Sequence, residues 1–213
     1  MYKEKDGIAV TPIGPFIDPT YVIAKERNPQ NVLLVNPSLA KGAAIVIRLA
    51  MMLEEERPDI KFEVVQSRGN WEALVRQVTK KFGKEKSSLS NVILTPNTRD
   101  MRPIYGRAKV LLALSLWWES FGRVAAEAAM NGIPSLITNR GGLPEAAGAL
   151  GKKVDLETHV YQAPYNSIPK EHDLFKIKTK LEKTFDTDFE DTLTMQKNPT
   201  DVSRMLSILK III

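Results

Sequence analysis

The sequence predicts an α/β protein: a single Rossmann-like, doubly wound parallel sheet with extra helices at its C-terminal end. Two observations predict it. Five short apolar runs, NVLLV (31–35), KFEVVQS (61–67), NVILT (91–95), KVLLALSL (109–116) and PSLIT (134–138), recur along the chain. They are rich in β-branched residues and mostly lack polar alternation, as strands buried on both faces of a parallel sheet do. Between them lie segments with apolar residues at helical spacing. Such strand–helix alternation closes, by right-handed crossovers, into a doubly wound sheet.

Residues 1–30 are polar, with prolines at 12, 15, 19 and 29. Proline restricts itself and the residue before it, so this stretch reads as an extended, linker-like segment. The first strand follows, and Gly42 then opens AAIVIRLAMMLEEE, a helix. The second strand leads to a helix from Trp71 to Phe82, with Lys80 and Lys81 at its negative end. After the third strand, RDMRPIYGRA is a short helical or turn segment broken by Pro103 and Gly106. The fourth strand leads to a helix from Phe121 to Asn131, with Ser120 as N-cap and Gly132 in the C′ position. The fifth strand completes a Rossmann-like domain set at 31–168. Beyond it, PKEHDLFKIKTKLEKTF (169–185) is an amphipathic helix and DVSRMLSILKIII (201–213) an apolar tail that reads as a packed helix or strand sooner than as a membrane anchor, together a segment packed on the domain.

Composition narrows the function. With 213 residues, 43% of them hydrophobic, the chain can bury a real core in one domain, or at most two. Thirty basic against 25 acidic side chains leave a net charge of +5. That suits phosphate-bearing ligands and falls far short of a nucleic-acid arm. The absence of cysteine excludes disulfides, thiolate catalysis and a cysteine zinc site. His159 and His172 are too few and too far apart for a histidine metal cluster. No apolar run approaches the ~20 residues of a membrane span, and the N-terminus has no signal-peptide core, so a cytoplasmic location is expected.

Doubly wound sheets bind ligands beyond the carboxyl ends of their strands. The turn after the first strand, NPSLAKG, matches neither G-x-G-x-x-G nor a Walker P-loop, so no dinucleotide cofactor is expected. It does place Lys41 and Gly42 at a helix start, where free N–H groups, the helix dipole and a full charge favour an anion. Taken alone, that pair reads first as a solvated lysine beside a turn glycine. ESFGRVAAEAAMNGIPSLITNRGG (119–142) is richer. Glu119 precedes the helix and Glu127 lies in its second turn, about 12 Å away at about 1.5 Å per residue. That span is comparable to the distance from a nucleotide's ribose to a sugar beyond its diphosphate. Carboxylates accept hydrogen bonds from paired hydroxyls of either sugar. Gly122, Gly141 and Gly142 let backbone amides close on phosphates between them. In isolation the two acids also read as a dipole-favoured acid and a solvated helix residue. Val124, Ala125, Ala126, Ala128, Ala129 and Met130 make the helix largely buried, however, and a buried Glu127 needs partners.

The ordered set Glu119-Ser-Phe-Gly-Arg, Glu127-Ala, Gly132-Ile-Pro and Gly141-Gly-Leu-Pro-Glu145 resembles the nucleotide-sugar signature of retaining GT-B glycosyltransferases of the family 4 type (glycosyltransferase group 1). Its E-x₇-E spacing is intact. Lys41-Gly42 and IYGRAKVLLALS match further segments, and the likeness runs over 31–150 before thinning. The resemblance implies the C-terminal, donor-binding domain of a hexosyltransferase in glycan or polysaccharide synthesis. Its donor would be UDP- or GDP-linked and its acceptor a glycan or lipid-linked glycan, with no metal required. Glu119 and Lys41 would be catalytic, on the donor sugar and the diphosphate respectively. Asn36, Gly42, Ser120, Phe121, Gly122, Glu127, Gly141 and Gly142 would bind the donor, Glu127 through the ribose. The loop of Pro96, Asn97, Thr98, Arg99 and Met101 would hold the nucleobase.

Two departures qualify this. Family members commonly carry arginine five positions before the lysine, where this chain has Asn36; Arg140, Arg68 and Arg99 are candidate replacements. GIAVTPIGPFIDPTYV resembles the segment that enters the C-terminal half of a GT-B enzyme, so the acceptor domain is expected to be missing and the chain inactive alone. Trp117 and Trp118 are then expected to be partly uncovered, and any membrane association to be peripheral and to belong to the full-length enzyme. Two other readings stand beside this one: a non-catalytic interaction module with a decayed site, and a GT-B nucleotide-sugar epimerase relative.

Overall fold

The computed structural model describes residues 16–67 and 69–188. The apolar tail at 201–213 and Arg68 lie outside the described residues. Six parallel strands form one sheet: β1 (Asn31–Val35), β2 (Lys61–Val65), β3 (Val92–Thr95), β4 (Ala108–Ala113), β5 (Ser135–Thr138) and β6 (Gly151–Val154). Their spatial order is β3-β2-β1-β4-β5-β6, the doubly wound order. The chain turns from one half of the sheet to the other between β1 and β4, and that switch point opens a crevice at the carboxyl ends of both.

Alternating side chains of the strands feed two cores, one on each face. Val32, Leu34, Phe62, Val64, Val110 and Leu112 pack under α1 (Ala43–Glu56), α2 (Trp71–Lys81) and α6 (Glu171–Phe185). Leu33, Val65, Leu111 and Ile137 pack under α3 (Arg102–Arg107), α4 (Arg123–Met130) and α5 (Leu143–Ala147). α1 is apolar on most sides because it lies between the sheet and its neighbouring helices; eight of its residues, from Ala43 to Leu53, are buried. α2 is capped by Asn70, whose side chain accepts the Ala73 N–H at 3.0 Å. Residues 16–30 contain one 3₁₀ turn, Pro19–Tyr21, and are tied down by N–H groups of Asn28 and Gln30 on the carbonyls of Gly106 and Arg107. Inside the second face, Glu63 of β2 is 1% exposed and held by Arg107, Asn31 and Thr95, a buried charge with its partners supplied.

Four elements differ from expectation. The fourth strand ends at Ala113 rather than at residue 116, because Leu116 and Trp117 turn their N–H groups onto Ala40 O of the facing loop. The helix after it starts at Arg123, not Phe121, and its N-cap is Gly122 in the left-handed conformation (φ 97°), so Ser120 caps nothing. A sixth strand and α5 were not foreseen. GKKV carries two lysines at an exposed sheet edge, where charge blocks further pairing.

Candidate functional site

The crevice at the switch point is a cavity of about 330 Å³. Its floor is the ends of β1 and β4 (Leu34, Val35, Leu112, Ala113), and its walls are Asn36, Lys41, Ser115, Glu119, Ser120, Phe121, Gly122, Arg123 and Val124. Two loops build it, and backbone contact locks them together. Ala40 O accepts the Leu116 N–H at 2.8 Å, and Gly42 (φ 78°) sits so close that a Cβ there would lie 2.3 Å from Leu114 O. Only glycine fits that position. Asn36 takes a left-handed φ of 59°, which asparagine tolerates better than most residues, and its Oδ1 is buried without a partner.

Lys41 and Glu119, 78 residues apart in sequence, meet in this cavity as an ion pair. Ser115 Oγ donates to the same carboxylate at 2.7 Å. Glu119 is only 8% exposed. Burial works to raise its carboxyl, but hydrogen bonds from Lys41 and Ser115 and the lysine's charge together outweigh it, holding the group below its ordinary value.

Glu127 is 6% exposed and does not line the cavity. Each of its oxygens is engaged: Oε2 accepts from the Tyr105 phenol at 2.6 Å and Oε1 from Arg123 Nε at 2.6 Å. Burial, reinforced by the neighbouring carboxylate, pushes the Tyr105 phenol well above its usual range, so it stays a neutral donor. Each carboxylate oxygen keeps a further lone pair.

The Gly141-Gly142 loop, expected to let backbone amides close on phosphate, packs against the Glu119 loop. The Gly142 N–H donates to Glu119 O at 2.9 Å, and a Cβ on Gly141 (φ 59°) would lie 1.8 Å from that oxygen. These glycines form the seat on which the Glu119 loop rests, and neither lines the cavity. Pro96, Asn97, Thr98 and Arg99 are exposed on the β3 side with Met101 behind them, outside the cavity lining. In that loop Arg102 grips Asp100 and holds its carboxyl down at about 2. Of the candidate replacement cations, Arg140 is stacked between the rings of Trp118 and Tyr161, at 5.1 and 4.6 Å, and Arg99 does not reach the cavity. Trp117 and Trp118 are exposed, at 49% and 65%. Ser115, Tyr105 and Arg123 are the site residues the sequence reading missed. Among the described residues, no three His, Cys, Asp or Glu side chains gather as a metal site, and no helix is long and apolar enough to cross a membrane.

The fold has solved counterparts. A point mutant of S. aureus TarM in complex with fondaparinux, alpha-GlcNAc-glycerol and UDP shares 13% identity at a TM-score of 0.63, over 98% of this chain and 40% of that one. The pneumococcal O-GlcNAc transferase GtfA in complex with UDP and GlcNAc shares 15% at 0.57, over 90% and 38%. A glycosyltransferase from Rickettsia africae ESF-5 shares 18% at 0.56, over 85% and 48%. The chain thus spans less than half the length of each. No curated protein sequence matches it. The family defined as "Glycosyl transferases group 1" matches residues 24–160, more than half of the chain and all of the crevice, so the chain belongs to the group 1 glycosyl transferases.

Proposed function

We propose that this chain carries the nucleotide-sugar site of a retaining glycosyltransferase of the family 4 type. It would serve the transfer of a hexosyl group from a UDP- or GDP-linked donor to a glycan or lipid-linked acceptor, with the acceptor held by a further domain. The observation that carries the proposal is the meeting of Lys41 and Glu119 in one cavity at the switch point of a group 1 chain. That two of the similar structures hold UDP supports it.

On this reading Lys41 leaves Glu119 for the diphosphate, and Glu119 takes a hydroxyl of the donor sugar. The amides at the start of α4 face the leaving phosphate. Glu127, with a lone pair left on each oxygen, receives the ribose. Retention would follow from an oxocarbenium-like transition state in which the departing phosphate stays beside the acceptor hydroxyl. The protein's contribution is then positioning and charge stabilisation, with no metal needed.

Calorimetric titration with UDP, GDP and their sugar nucleotides, without metal, tests this. The chain should bind one base family. Glu127→Ala should weaken the nucleotide by about 1–3 kcal/mol, the cost of a lost buried polar contact. Glu119→Gln should weaken the sugar nucleotide and spare the bare diphosphate. Absence of binding by every nucleotide would reject the proposal, and unchanged affinity in Glu127→Ala would reject the ribose role.

A further inference from the structure

A diphosphate brings more negative charge than one lysine balances, and Lys41 is already paired with Glu119 in the free protein. Asn36 adds no charge. Among the described residues, the cavity lining contains one other cation, Arg123. We infer that Arg123 is the second phosphate-binding cation of this site and that Glu127 and Tyr105 position it. The inference deepens the donor-site reading and rests on it.

Arg123 is the first residue of α4, directly after the left-handed Gly122. Its side chain is 66% exposed while that of its partner Glu127 is 7% exposed, so a buried anchor aims an open head. The contact uses Nε, at 2.6 Å. The two terminal Nη groups, the pair that forks onto phosphate oxygens, have no partner among the described residues. Tyr105 fixes the other Glu127 oxygen at 2.6 Å, so the carboxylate cannot rotate away from the guanidinium. The backbone adds to this. The first helical bonds of α4 run from the N–H groups of Ala125 and Ala126 to Gly122 O, and the amides of Arg123 and Val124 before them donate to no backbone carbonyl among the described residues. Arg140 cannot take this role, since its guanidinium is stacked between Trp118 and Tyr161 outside the cavity lining.

The test titrates the full chain with inorganic pyrophosphate, UDP, GDP, uridine and guanosine, comparing wild type with Arg123→Ala and Arg123→Lys. Arg123→Ala should bind pyrophosphate and the preferred nucleoside diphosphate about 10- to 100-fold more weakly, the range of a lost charge-assisted contact, while binding the nucleoside as before. Arg123→Lys keeps the charge but not the fork and should fall between. A merely structural role would lower nucleoside and diphosphate affinity together, and that result overturns the assignment. So does equal pyrophosphate binding by wild type and Arg123→Ala; if both then bind UDP or GDP, the donor-site reading survives alone. Arg123-dependent binding of pyrophosphate with no nucleoside diphosphate bound would uphold the cation site and sink the donor reading. A wild type that binds none of the probes sinks both.

Discussion

Glu119 and Glu127 belong to one short segment, have nearly the same exposure at 8% and 6%, and are stabilised by opposite means. Glu119 sits on a loop at the cavity wall, where a long flexible lysine and one serine hydroxyl hold it. Glu127 sits inside a helix, clamped between a buried phenol and the guanidinium one turn before it. The first set of partners can exchange for a ligand with little rearrangement, because lysine rotates and the cavity is open beside it. Of the second set only Arg123 is open to solvent, and the Tyr105 phenol, fully buried in the core, cannot exchange. One acid is therefore held by contacts that can open and the other is anchored to the buried core, although the E-x₇-E spacing makes them look equivalent.

The largest effect should come from removing the seat under Glu119. Gly141→Ala places a Cβ 1.8 Å from Glu119 O at a φ of 59°. Backbone cannot yield that far locally, so strain and overpacking together should cost about 2–5 kcal/mol. Urea titration measures this, with the Glu119 loop moved out of the cavity in the variant. A stability within about half a kcal/mol of wild type would mean that the two loops are not locked.

Next comes the contrast between frame and displaceable contact. Tyr105→Phe deletes one of the two donors to a carboxylate that is only 6% exposed, which should cost about 1–3 kcal/mol. Ser115→Ala deletes a donor to Glu119 that keeps its lysine and faces the cavity; a cost below about 1.5 kcal/mol is expected. Paired denaturation curves decide. If Ser115→Ala proves the costlier change, Glu119 belongs to the frame and the division drawn above is wrong.

These contrasts mark what sequence could and could not reveal. β1, β4 and β5 were legible because short apolar runs are what a strand buried on both faces demands, while β2 and β3 were found from β-branched content despite Glu63 in the one and the exposed Ile93 and Leu94 in the other. β6 was not, since two of its four residues are lysines at an edge, and α5 was too short at five residues to leave a periodic trace. The start of α4 was misplaced for a physical reason. Ser120 has the right chemistry for a cap, but its backbone and that of Phe121 pack on Gly142, 22 residues further along, and cannot wind into a helix. At the site, Lys41 and Glu119 were legible from loop position and spacing. Arg123 had a local signal, its i,i+4 relation to Glu127, which was available and unused. Tyr105 and Ser115 both lie in IYGRAKVLLALS, a segment that carried part of the resemblance, but nothing in it tied either to the two acids, because that meeting depends on tertiary packing.

The smallest expected effect is on acid stability, and it isolates the Lys41–Glu119 pair. Glu119 is held below its ordinary pKa of 4.5 when folded, so the unfolded chain binds its proton first. The stability this provides is complete above the unfolded value and ebbs as pH falls through the folded one. Wild type and Glu119→Gln should therefore differ by a constant amount from about pH 7 to pH 5, and the difference should shrink as the pH falls below the ordinary carboxyl value. Other carboxyls with lowered pKa, such as Glu54 and Asp59, also weaken the protein in acid, but they act equally in both chains and cancel in the difference. Denaturation midpoints at half-unit steps of pH give the comparison. A difference that stays flat down to pH 3.5 would mean that Lys41 does not hold Glu119 in solution, and the contact would then already be open before any ligand arrives.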